Sequence, residues 1–306
     1  TTIRNNTTKT SAQTGIGANR TLPAKNLLAS NCKVQNFDLL PERMRAFEKM
    51  GGTPASSSAD AGNGAEAAFV MVMNGDETKE VFFGGDGLGG LKSTMASGSV
   101  IILSATVRAR EARELAEGLK GSGIHLIDTP VSGGFPGAQG GTLTMMASGT
   151  DEAMELAKPA MEAVSGTIHR VGTEPGMGQT MKACLQSVIG SIFSSVFEAS
   201  ALAAKSGVDG EAFLNVLSTS SAGCGVANTA LENIIDRKFE KTGSHIATMY
   251  KDLTISLDMA REQGVPLFTA STAMQLFQAG KTKYPNGDNQ VVTRVIEEIV
   301  DAGLKR

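Results

Sequence analysis

The sequence predicts an α/β domain over residues 1–173, then a long connecting helix and an all-helical domain over residues 174–306. Between about residues 67 and 171, short apolar runs alternate with helical stretches, which is typical of βαβ units and a mostly parallel sheet. After residue 173 the strand signals fade and only helical patterns follow. The length of 306 residues leaves room for two domains of about 100–200 residues each.

The first domain is predicted from short apolar runs and from two amphipathic stretches. Apolar runs of this length indicate strands that are buried on both faces of a sheet. The predicted strands are Ala68–Met73, Val100–Leu103, Ile124–Ile127, Leu143–Ala147 and Thr167–Val171, and the predicted helices are Arg108–Leu119 and Asp151–Val164.

The second domain is predicted to be helical throughout. Residues 176–205 have helical composition and give a helix on the order of 45 Å long if it is continuous. Asp209 and Asn289 are predicted N-caps. A binding site is expected in the cleft between the domains. The remaining predicted helices are Asp209–Leu217, Val226–Asp236, Ile246–Gln263, Thr269–Ala279 and Asn289–Ala302.

The composition excludes several classes of protein. With 28 basic and 31 acidic side chains and no basic block, the chain is not expected to bind nucleic acid or a membrane surface. A hydrophobic fraction of 41% excludes a mostly disordered chain. Three widely spaced cysteines indicate a reducing compartment and no metal site. The polar first twenty residues predict a cytoplasmic location, and Met181–Ala204 is expected to be too polar to span a membrane.

The N-terminal segment contains an incomplete dinucleotide motif. Gly15 and Gly17 form a Gly-x-Gly, and Asp38 lies 23 residues after Gly15, where an acidic side chain binds ribose hydroxyls in dinucleotide folds. However, the third glycine is Arg20, and the preceding Thr10–Thr14 is polar where a buried strand is expected to be apolar. Further along, Pro23 is expected to disrupt the following helix, and Asn36 to interrupt the second strand. A nucleotide site and a Gly-rich surface turn therefore both stay open.

Two later motifs contain groups suited to binding and proton transfer. The segment at 128–134, Asp-Thr-Pro-Val-Ser-Gly-Gly, follows a predicted strand; its Ser-Gly-Gly offers a hydroxyl and backbone N–H groups to a carboxylate, or is an ordinary turn. The segment at 176–182 opens the long helix with two glycines, which would let the backbone approach a ligand. Lys182 and Gln186 share one helix face. A partly desolvated lysine has its pKa lowered, which suits proton exchange with an alkoxide.

Taken together, the motifs resemble those of one family. Asp-x-Pro-Val-Ser-Gly-Gly at 128–134, Gly-x-Gly-x-x-x-Lys at 176–182 and Lys-Asp-Leu at 251–253 occur in this order and spacing in the β-hydroxyacid dehydrogenase family. Its branches include 3-hydroxyisobutyrate dehydrogenase, tartronate semialdehyde reductase and L-threonate dehydrogenase. The resemblance covers roughly residues 24–303, and Thr142–Gly149 is most similar to the L-threonate dehydrogenase branch.

The resemblance implies a 6-phosphogluconate dehydrogenase-like fold and an enzymatic activity. The first domain would be a dinucleotide-binding Rossmann-type domain, and the second a substrate and dimerisation domain. The activity would be NAD-dependent interconversion of a small 3-hydroxy acid and its semialdehyde or keto acid, by a homodimer or homotetramer. Lys182 would be the general acid/base, and Ser132, Gly133, Gly134 and Gln186 would bind the substrate.

The resemblance also assigns cofactor contacts. Gly15, Gly17, Val72, Met73, Thr106 and Lys251 would contact the dinucleotide together with Asp38. The carboxylate of Asp38 would favour NAD, with NADP less favoured, because it repels a 2′-phosphate.

The sequence also departs from the family, which leaves other functions open. Leu185 replaces an asparagine that is common three residues after the lysine, and the polar N-terminus replaces an apolar strand. The alternatives are a non-catalytic or cofactor-impaired relative that acts as a binding protein, an NADP-dependent semialdehyde reductase, and an imine reductase-like enzyme. The lysine at position 182 argues against the last of these.

Overall fold

The structure of the chain is a computed structural model that describes residues 10–14, 21–30, 32–85 and 87–306. It divides into two compact units: the first ends at Lys182 and the second covers Ala183–Arg306. The first is an α/β unit and the second is helical, so the predicted fold class is confirmed.

The first unit contains short strands that alternate with helices. Its predicted strands and helices are all present, with ends shifted by up to three residues. The strands are β1 Thr10–Thr14, β2 Lys33–Phe37, β3 Thr53–Pro54, β4 Ala67–Val70, β5 Gly84–Gly85, β6 Leu88–Gly89, β7 Val100–Leu103, β8 His125–Asp128, β9 Val131–Ser132, β10 Leu143–Ser148 and β11 Ser165–Gly172. The helices are α1 Thr21–Ala29, α2 Pro41–Lys49, α3 Ser58–Gly62, α4 Gly75–Phe83, α5 Ala109–Leu119, α6 Gly134–Gly140 and α7 Asp151–Val164, with a 3₁₀ turn at Leu91–Ser93.

The strand order places the carboxyl ends of six strands at one edge. In the described part of the chain the order is β11-β10-β8-β7-β4-β1-β2-β3, with β9 paired to β10. Strands β8, β7, β4, β1, β2 and β3 are parallel to one another, whereas β10 pairs antiparallel with β8. The chain leaves β1 toward β2 and β3, then crosses back to β4 on the other side of β1. Such a reversal creates a crevice at the carboxyl ends, where ligands bind in open α/β sheets.

Alternate residues of the central strands pack on opposite faces of this sheet. Ala68 and Val70 belong to one hydrophobic cluster, and Ala67 and Phe69, between and before them, belong to another. A sheet with both faces covered requires strands that are apolar at every position. This is why short continuous apolar runs identified the strands.

The polar segment Thr10–Thr14 forms a strand, contrary to expectation. It is β1, paired in parallel with β2 on one side and with β4 on the other. Strand formation satisfies backbone N–H and C=O groups, and here β2 pairs with all five residues of β1 and β4 with four. Apolarity was therefore the wrong criterion for this strand.

Pro23 and Asn36 also fit their elements. Pro23 is the third residue of α1, in the first turn, where backbone N–H groups have no partner within the helix. Asn36 lies within β2, fully buried, with its Nδ2 3.3 Å from Met44 Sδ. The expectation that these two residues disrupt the fold is wrong.

The second unit is built from helices around one hydrophobic cluster. Phe193, Phe197 and Phe277 form its aromatic centre, with ring centroids 5.8–6.1 Å apart. Its helices, of which the first begins in the first unit, are α8 Met177–Lys205, α9 Gly210–Thr219, α10 Gly225–Ile235, α11 Ile246–Gln263, α12 Phe268–Lys283 and α13 Thr293–Val300, with a 3₁₀ turn at Asn289–Val292.

The two predicted N-caps have different outcomes. Asp209 caps α9 by accepting a hydrogen bond from the Ala212 N–H at 2.8 Å. Asn289 is not a cap, because its Nδ2 donates to Ser244 Oγ and it is itself the first residue of a 3₁₀ turn.

The long helix α8 meets the length and composition criteria for a membrane span. Its 29 residues are apolar enough to cross a membrane, so by this criterion the expectation that the segment is too polar is wrong. Core helices of folded domains meet the same criterion. Here Phe193, Val196 and Phe197 of α8 are buried in the hydrophobic cluster of the second unit, which accounts for part of the apolar composition.

Candidate active site

Four predicted cofactor residues follow the carboxyl ends of neighbouring strands. Asp38 follows β2, Val72 and Met73 follow β4, and Thr106 follows β7. Because β7, β4, β1 and β2 are adjacent and parallel, these residues lie along one edge of the sheet. Gly15 and Gly17, predicted to contact the same cofactor, lie outside the described residues.

Asp38 is held in a turn directly after β2. Its Oδ1 accepts a hydrogen bond from the Leu40 N–H at 2.8 Å, and its Oδ2 lies 3.5 Å from Arg43 Nη1. The Asp38 side chain is 6% exposed, whereas that of Arg43 is 35% exposed. The carboxylate is therefore oriented by its own turn and by one cation.

The pair Val72 and Met73 is divided between core and surface. Val72 is buried in the hydrophobic cluster on one face of the sheet, whereas Met73 is 40% exposed. The Met73 N–H donates to Glu77 Oε2 at 2.9 Å, and the Asn74 side chain caps α4. These contacts fix the loop that leaves β4, and they leave the Met73 side chain accessible to a ligand.

Buried hydroxyl groups at this edge also fit a ligand. Ser104 follows β7 and Thr129 follows β8, and both are nearly or fully buried. Neither hydroxyl oxygen has a hydrogen-bond partner among the described residues. Buried polar groups normally have partners, so orphaned hydroxyls at the carboxyl ends of these strands are consistent with a dinucleotide site. No cluster of His, Cys, Asp or Glu that could hold a metal ion occurs in the described part of the chain.

The Ser-Gly-Gly segment forms a turn that requires glycine. Ser132 ends β9 and pairs with Thr144 of β10. Gly133 and Gly134 follow with φ values of 125° and 57°, in a region that other residues rarely adopt. Both glycines are exposed. The turn therefore presents the Ser132 hydroxyl and the glycine backbone at an accessible surface.

The start of α8 is joined to the end of β8 by a buried carboxylate. Asp128, fully buried, accepts hydrogen bonds at Oδ2 from the Gly176 N–H at 2.8 Å and the Gln179 N–H at 3.2 Å. Its Oδ1 accepts from Gln179 Nε2 at 2.7 Å. Gln179 is itself 1% exposed and also contacts the loop after β7: its Nε2 donates to Ala105 O at 3.1 Å, and its Oε1 accepts from the Val107 N–H at 3.0 Å.

The glycines of the 176–182 motif have a packing role. Gly176 has a φ of 95°, and a Cβ at Gly178 would lie 2.5 Å from Asp128 O and 2.6 Å from Met146 O. Only glycine lets the helix approach the ends of β8 and β10 this closely. The sequence interpretation that they admit a ligand is thus replaced by close packing of α8 on the sheet.

Lys182 follows this junction. It is 7% exposed, lies three residues after Gln179 on α8, and is the last residue of the first unit. Residues three apart lie on neighbouring positions of a helix surface. The Lys182 side chain is therefore nearly buried, on the first turns of a helix that Asp128 ties to the sheet.

Burial raises the pKa of Asp128 from 3.8 to about 6, while hydrogen bonds from Gln179 and Gly176 act in the opposite direction. Because this pKa is higher in the folded protein than in the unfolded chain, the carboxyl group stabilises the fold below about pH 4. That contribution is lost as the pH rises to about 6.

We therefore expect the stability of Asp128→Asn to increase relative to that of the wild type as the pH rises. The difference in their free energies of unfolding should shift in favour of the variant by about 3 kcal/mol between about pH 4 and pH 6, and stay constant above about pH 7. Urea denaturation of both proteins across this range measures the shift. A difference that is constant over the whole range contradicts the assignment.

The two predicted residues of the second unit converge on Asp252. Gln186 is buried and donates from Nε2 to Asp252 Oδ2 at 2.6 Å. Lys251 Nζ lies 2.9 Å from Asp252 Oδ1. A buried carboxylate therefore orients the amide and holds the cation, and this accounts for the aspartate of the Lys-Asp-Leu motif.

Sequence reasoning assigned no role to Asp128, Gln179 or Asp252. Each is a buried polar residue inside a recognised motif, and each has a hydrogen-bond partner that is distant in the sequence. The available signal was a polar side chain between residues that were already assigned. Its partner could not be identified without the fold.

Comparisons with known proteins agree with this architecture. The family described as the NAD binding domain of 6-phosphogluconate dehydrogenase matches residues 15–172. The family described as NAD-binding of NADP-dependent 3-hydroxyisobutyrate dehydrogenase matches residues 176–296. The L-threonate dehydrogenase of Cupriavidus necator is 32% identical over 286 residues, which cover 93% of this chain and 95% of that protein.

Two further comparisons extend the similarity. The L-threonate dehydrogenase of Escherichia coli strain K12 is 32% identical over 241 residues, 78% of each chain. The crystal structure of 3-hydroxyisobutyrate dehydrogenase from Salmonella typhimurium superimposes with a TM-score of 0.85 at 26% identity, covering 94% of this chain and 99% of that one. With the motifs at 128–134, 176–182 and 251–253 in place, the chain belongs to the β-hydroxyacid dehydrogenase family of NAD(P)-binding oxidoreductases.

Proposed function

We propose that the protein oxidises a small 3-hydroxy acid of the L-threonate type with NAD, with Lys182 as the general acid/base. The position of Lys182 is the observation on which the proposal rests. Lys182 is nearly buried, and it lies about one helical turn after Gln179, which together with Asp128 ties α8 to the carboxyl ends of β7 and β8. A lysine shielded from water suits proton exchange with a substrate oxygen. The identity to L-threonate dehydrogenases favours this branch.

Each residue has a distinct task in this proposal. Bound NAD would supply the hydride acceptor at the edge of the sheet. Lys182 Nζ would take the proton of the reacting hydroxyl and stabilise the negative charge that develops on its oxygen. The Ser132 hydroxyl and the backbone of Gly133 and Gly134 would bind the substrate carboxylate. Gln186 would add a polar contact to the substrate through Oε1, since its Nε2 donates to Asp252.

The cofactor contacts are part of the same proposal. Gly15, Gly17, Met73 and Thr106 would line the dinucleotide, and Asp38 would bind the ribose hydroxyls and favour NAD over NADP. The backbone of Val72 would contribute, because its side chain is in the core. Lys251 would contact the cofactor from the second unit.

Calorimetric titration with NAD and NADP is the first test, followed by measurement of NADH formation from L-threonate, D-glycerate and 3-hydroxyisobutyrate. We expect micromolar binding of NAD, much weaker binding of NADP, and the highest kcat/KM with L-threonate. Absence of binding to either dinucleotide would favour the alternative of a non-catalytic binding protein. Tighter binding of NADP would favour the semialdehyde reductase.

Replacing Ser132 with alanine should raise the KM of the acid about tenfold and change kcat by less than about threefold. A hydroxyl that contacts the substrate carboxylate equally in the ground state and in the transition state affects substrate binding alone. Steady-state kinetics with saturating NAD measures both constants. Ser122→Ala is the matched control, since Ser122 precedes β8 at the opposite edge of the sheet. A lowered kcat at unchanged KM would refute this role for Ser132.

We also propose a cytoplasmic homodimer or homotetramer. Exposed apolar side chains on α8, Val188 and Leu202 among them, support association, and the exposed thiols of Cys184 and Cys224 support a reducing compartment. Light scattering after gel filtration tests the oligomeric state, and a monomer at micromolar concentration would refute it.

A further inference from the structure

Two buried side chains, Asp128 and Gln179, connect the three segments of the first unit that contain the proposed reacting groups. Asp128 ends β8, and Ser132 follows four residues later. Gln179 lies in the first turn of α8, and Lys182 follows three residues later. The third segment is the loop after β7, which contains Thr106.

The Gln179 amide brackets Thr106. Its Nε2 donates to Ala105 O, and its Oε1 accepts from the Val107 N–H, at 3.1 and 3.0 Å. These are the backbone groups on either side of Thr106, which is half-buried between two buried neighbours. A single side chain therefore determines the position of the loop at the residue that the family resemblance assigns to the cofactor.

Asp128 determines the orientation of the Gln179 side-chain amide. An ionised carboxylate only accepts hydrogen bonds, and Oδ1 lies 2.7 Å from Gln179 Nε2. If the amide turned over, Nε2 would face the Val107 N–H, while Oε1 would face two acceptors, Asp128 and Ala105 O. The reversed orientation would thus lose every hydrogen bond of the side chain, so the pair has one arrangement.

Asp128 also determines the position of α8. Its Oδ2 accepts the N–H groups of Gly176 and Gln179, two donors at a helix start, where no partner exists within the helix. Lys182 lies about 4.5 Å further along the helix axis than Gln179. A shift of this turn would displace the Lys182 side chain by a similar amount.

We propose that Asp128 and Gln179 are a positioning pair, which keeps the helix turn before Lys182 in register with the Thr106 loop and with the strand that leads to Ser132. The inference rests on the proposed function, because that function places residues from all three segments in one reaction. A misplacement of about 1 Å costs on the order of 100-fold in rate when reacting groups must be aligned. The pair therefore controls kcat more than it controls the affinity for the acid.

The test compares four variants with the wild type: Asp128→Asn, Gln179→Leu, Gln179→Glu and the exchange Asp128→Asn/Gln179→Glu. In Asp128→Asn the new amide faces Gln179 Nε2 with a donor. In Gln179→Glu two carboxylates meet. The exchange restores one donor and one acceptor between the two side chains, and the new carboxylate at position 179 can still accept from the Val107 N–H.

We expect kcat to fall about 10–100-fold in each single variant, with the KM of the acid within about threefold of the wild type. The exchange should recover at least about tenfold of the loss in Gln179→Glu. The Kd of NAD should rise about tenfold in Gln179→Leu, since the Thr106 loop loses both anchors. Thermal denaturation reports stability in parallel.

Asp288→Asn is the matched control. Asp288 is also a buried carboxylate, 4% exposed, and it accepts hydrogen bonds from the Thr242 N–H and hydroxyl in the second unit. This variant should lose stability and keep kcat within about twofold, because no proposed reacting group depends on it. If Gln179→Leu does not fold, Asp128→Asn and the exchange still decide the question.

The outcomes separate this inference from the proposed function. Turnover by the wild type, with kcat of Asp128→Asn and Gln179→Glu within threefold of it, would overturn the positioning pair and leave the function standing. A wild type that binds NAD but oxidises no acid would overturn the function. An unchanged Kd of NAD in Gln179→Leu would then overturn the pair as well. Loss of kcat that follows stability in all variants, with no recovery in the exchange, would reduce the pair to a structural role.

Discussion

Lys182→Ala should lower kcat by about 10²–10⁴, the range expected when a general acid/base is removed. The alanine variant would lack the group that takes the proton from the reacting hydroxyl. It would also lack the positive charge that stabilises the developing alkoxide. Lys182 is nearly buried, so water would replace its ammonium group poorly.

Lys182→Arg separates the two tasks of the lysine. Arginine keeps the positive charge but stays protonated, so it cannot accept the proton of the reacting hydroxyl, and kcat should also fall by about 10² or more. If charge alone mattered, the arginine variant would keep most of its activity. Initial rates of NADH formation over a range of pH distinguish these outcomes.

Lys205→Ala is the control for Lys182→Ala. Lys205 ends the same helix, is exposed, and donates from Nζ to Val300 O. Its replacement should leave kcat unchanged. Circular dichroism establishes that both variants fold. Turnover of Lys182→Ala close to that of the wild type would refute the assigned mechanism.

Much of the fold could be predicted because the central strands are buried on both faces. Val100–Leu103 was located without error, since a strand with no exposed face is apolar at every position. The first strand could not be found this way. Its backbone pairs with β2 and β4 on either side, and backbone pairing does not depend on side-chain polarity.

The positions of candidate site residues could be predicted where the residues lie close to the carboxyl end of a strand. Asp38 directly follows β2 and Thr106 lies three residues after the end of β7, and the carboxyl edge of a parallel sheet is where such residues gather. The link from Asp128 to Gln179 spans 51 residues and exists only once β8 and α8 are packed together. No local pattern encodes a contact of this kind.

The formation of β1 also bears on the non-catalytic alternative. That alternative rested on two features, the polar Thr10–Thr14 and the arginine at position 20, of which only the first lies within the described residues. The strand forms and lies next to β2, which ends just before Asp38. Strands that could support a dinucleotide are thus present on both sides of β1, where the strand order reverses.

Asp38→Asn should change the ratio of the NAD and NADP dissociation constants by about 10²–10³. In the proposed site the carboxylate binds the ribose hydroxyls, and charged hydrogen bonds of this kind are worth about 1.5–3 kcal/mol, so NAD should bind roughly tenfold or more weakly. Removal of the negative charge would also end the repulsion of a 2′-phosphate. Calorimetric titration of the variant with both dinucleotides measures the ratio.

The gain in NADP binding expected for Asp38→Asn depends on Arg43. In the wild type its guanidinium lies 3.5 Å from the Asp38 carboxylate, and its side chain is 35% exposed. Once residue 38 is neutral, Arg43 would be released to bind the 2′-phosphate, which arginine recognises through charge-assisted hydrogen bonds. Asp38→Asn/Arg43→Ala should therefore lose the gain for NADP while binding NAD as the single variant does. An equal change for both dinucleotides in Asp38→Asn would show that residue 38 shapes the turn and does not select the cofactor.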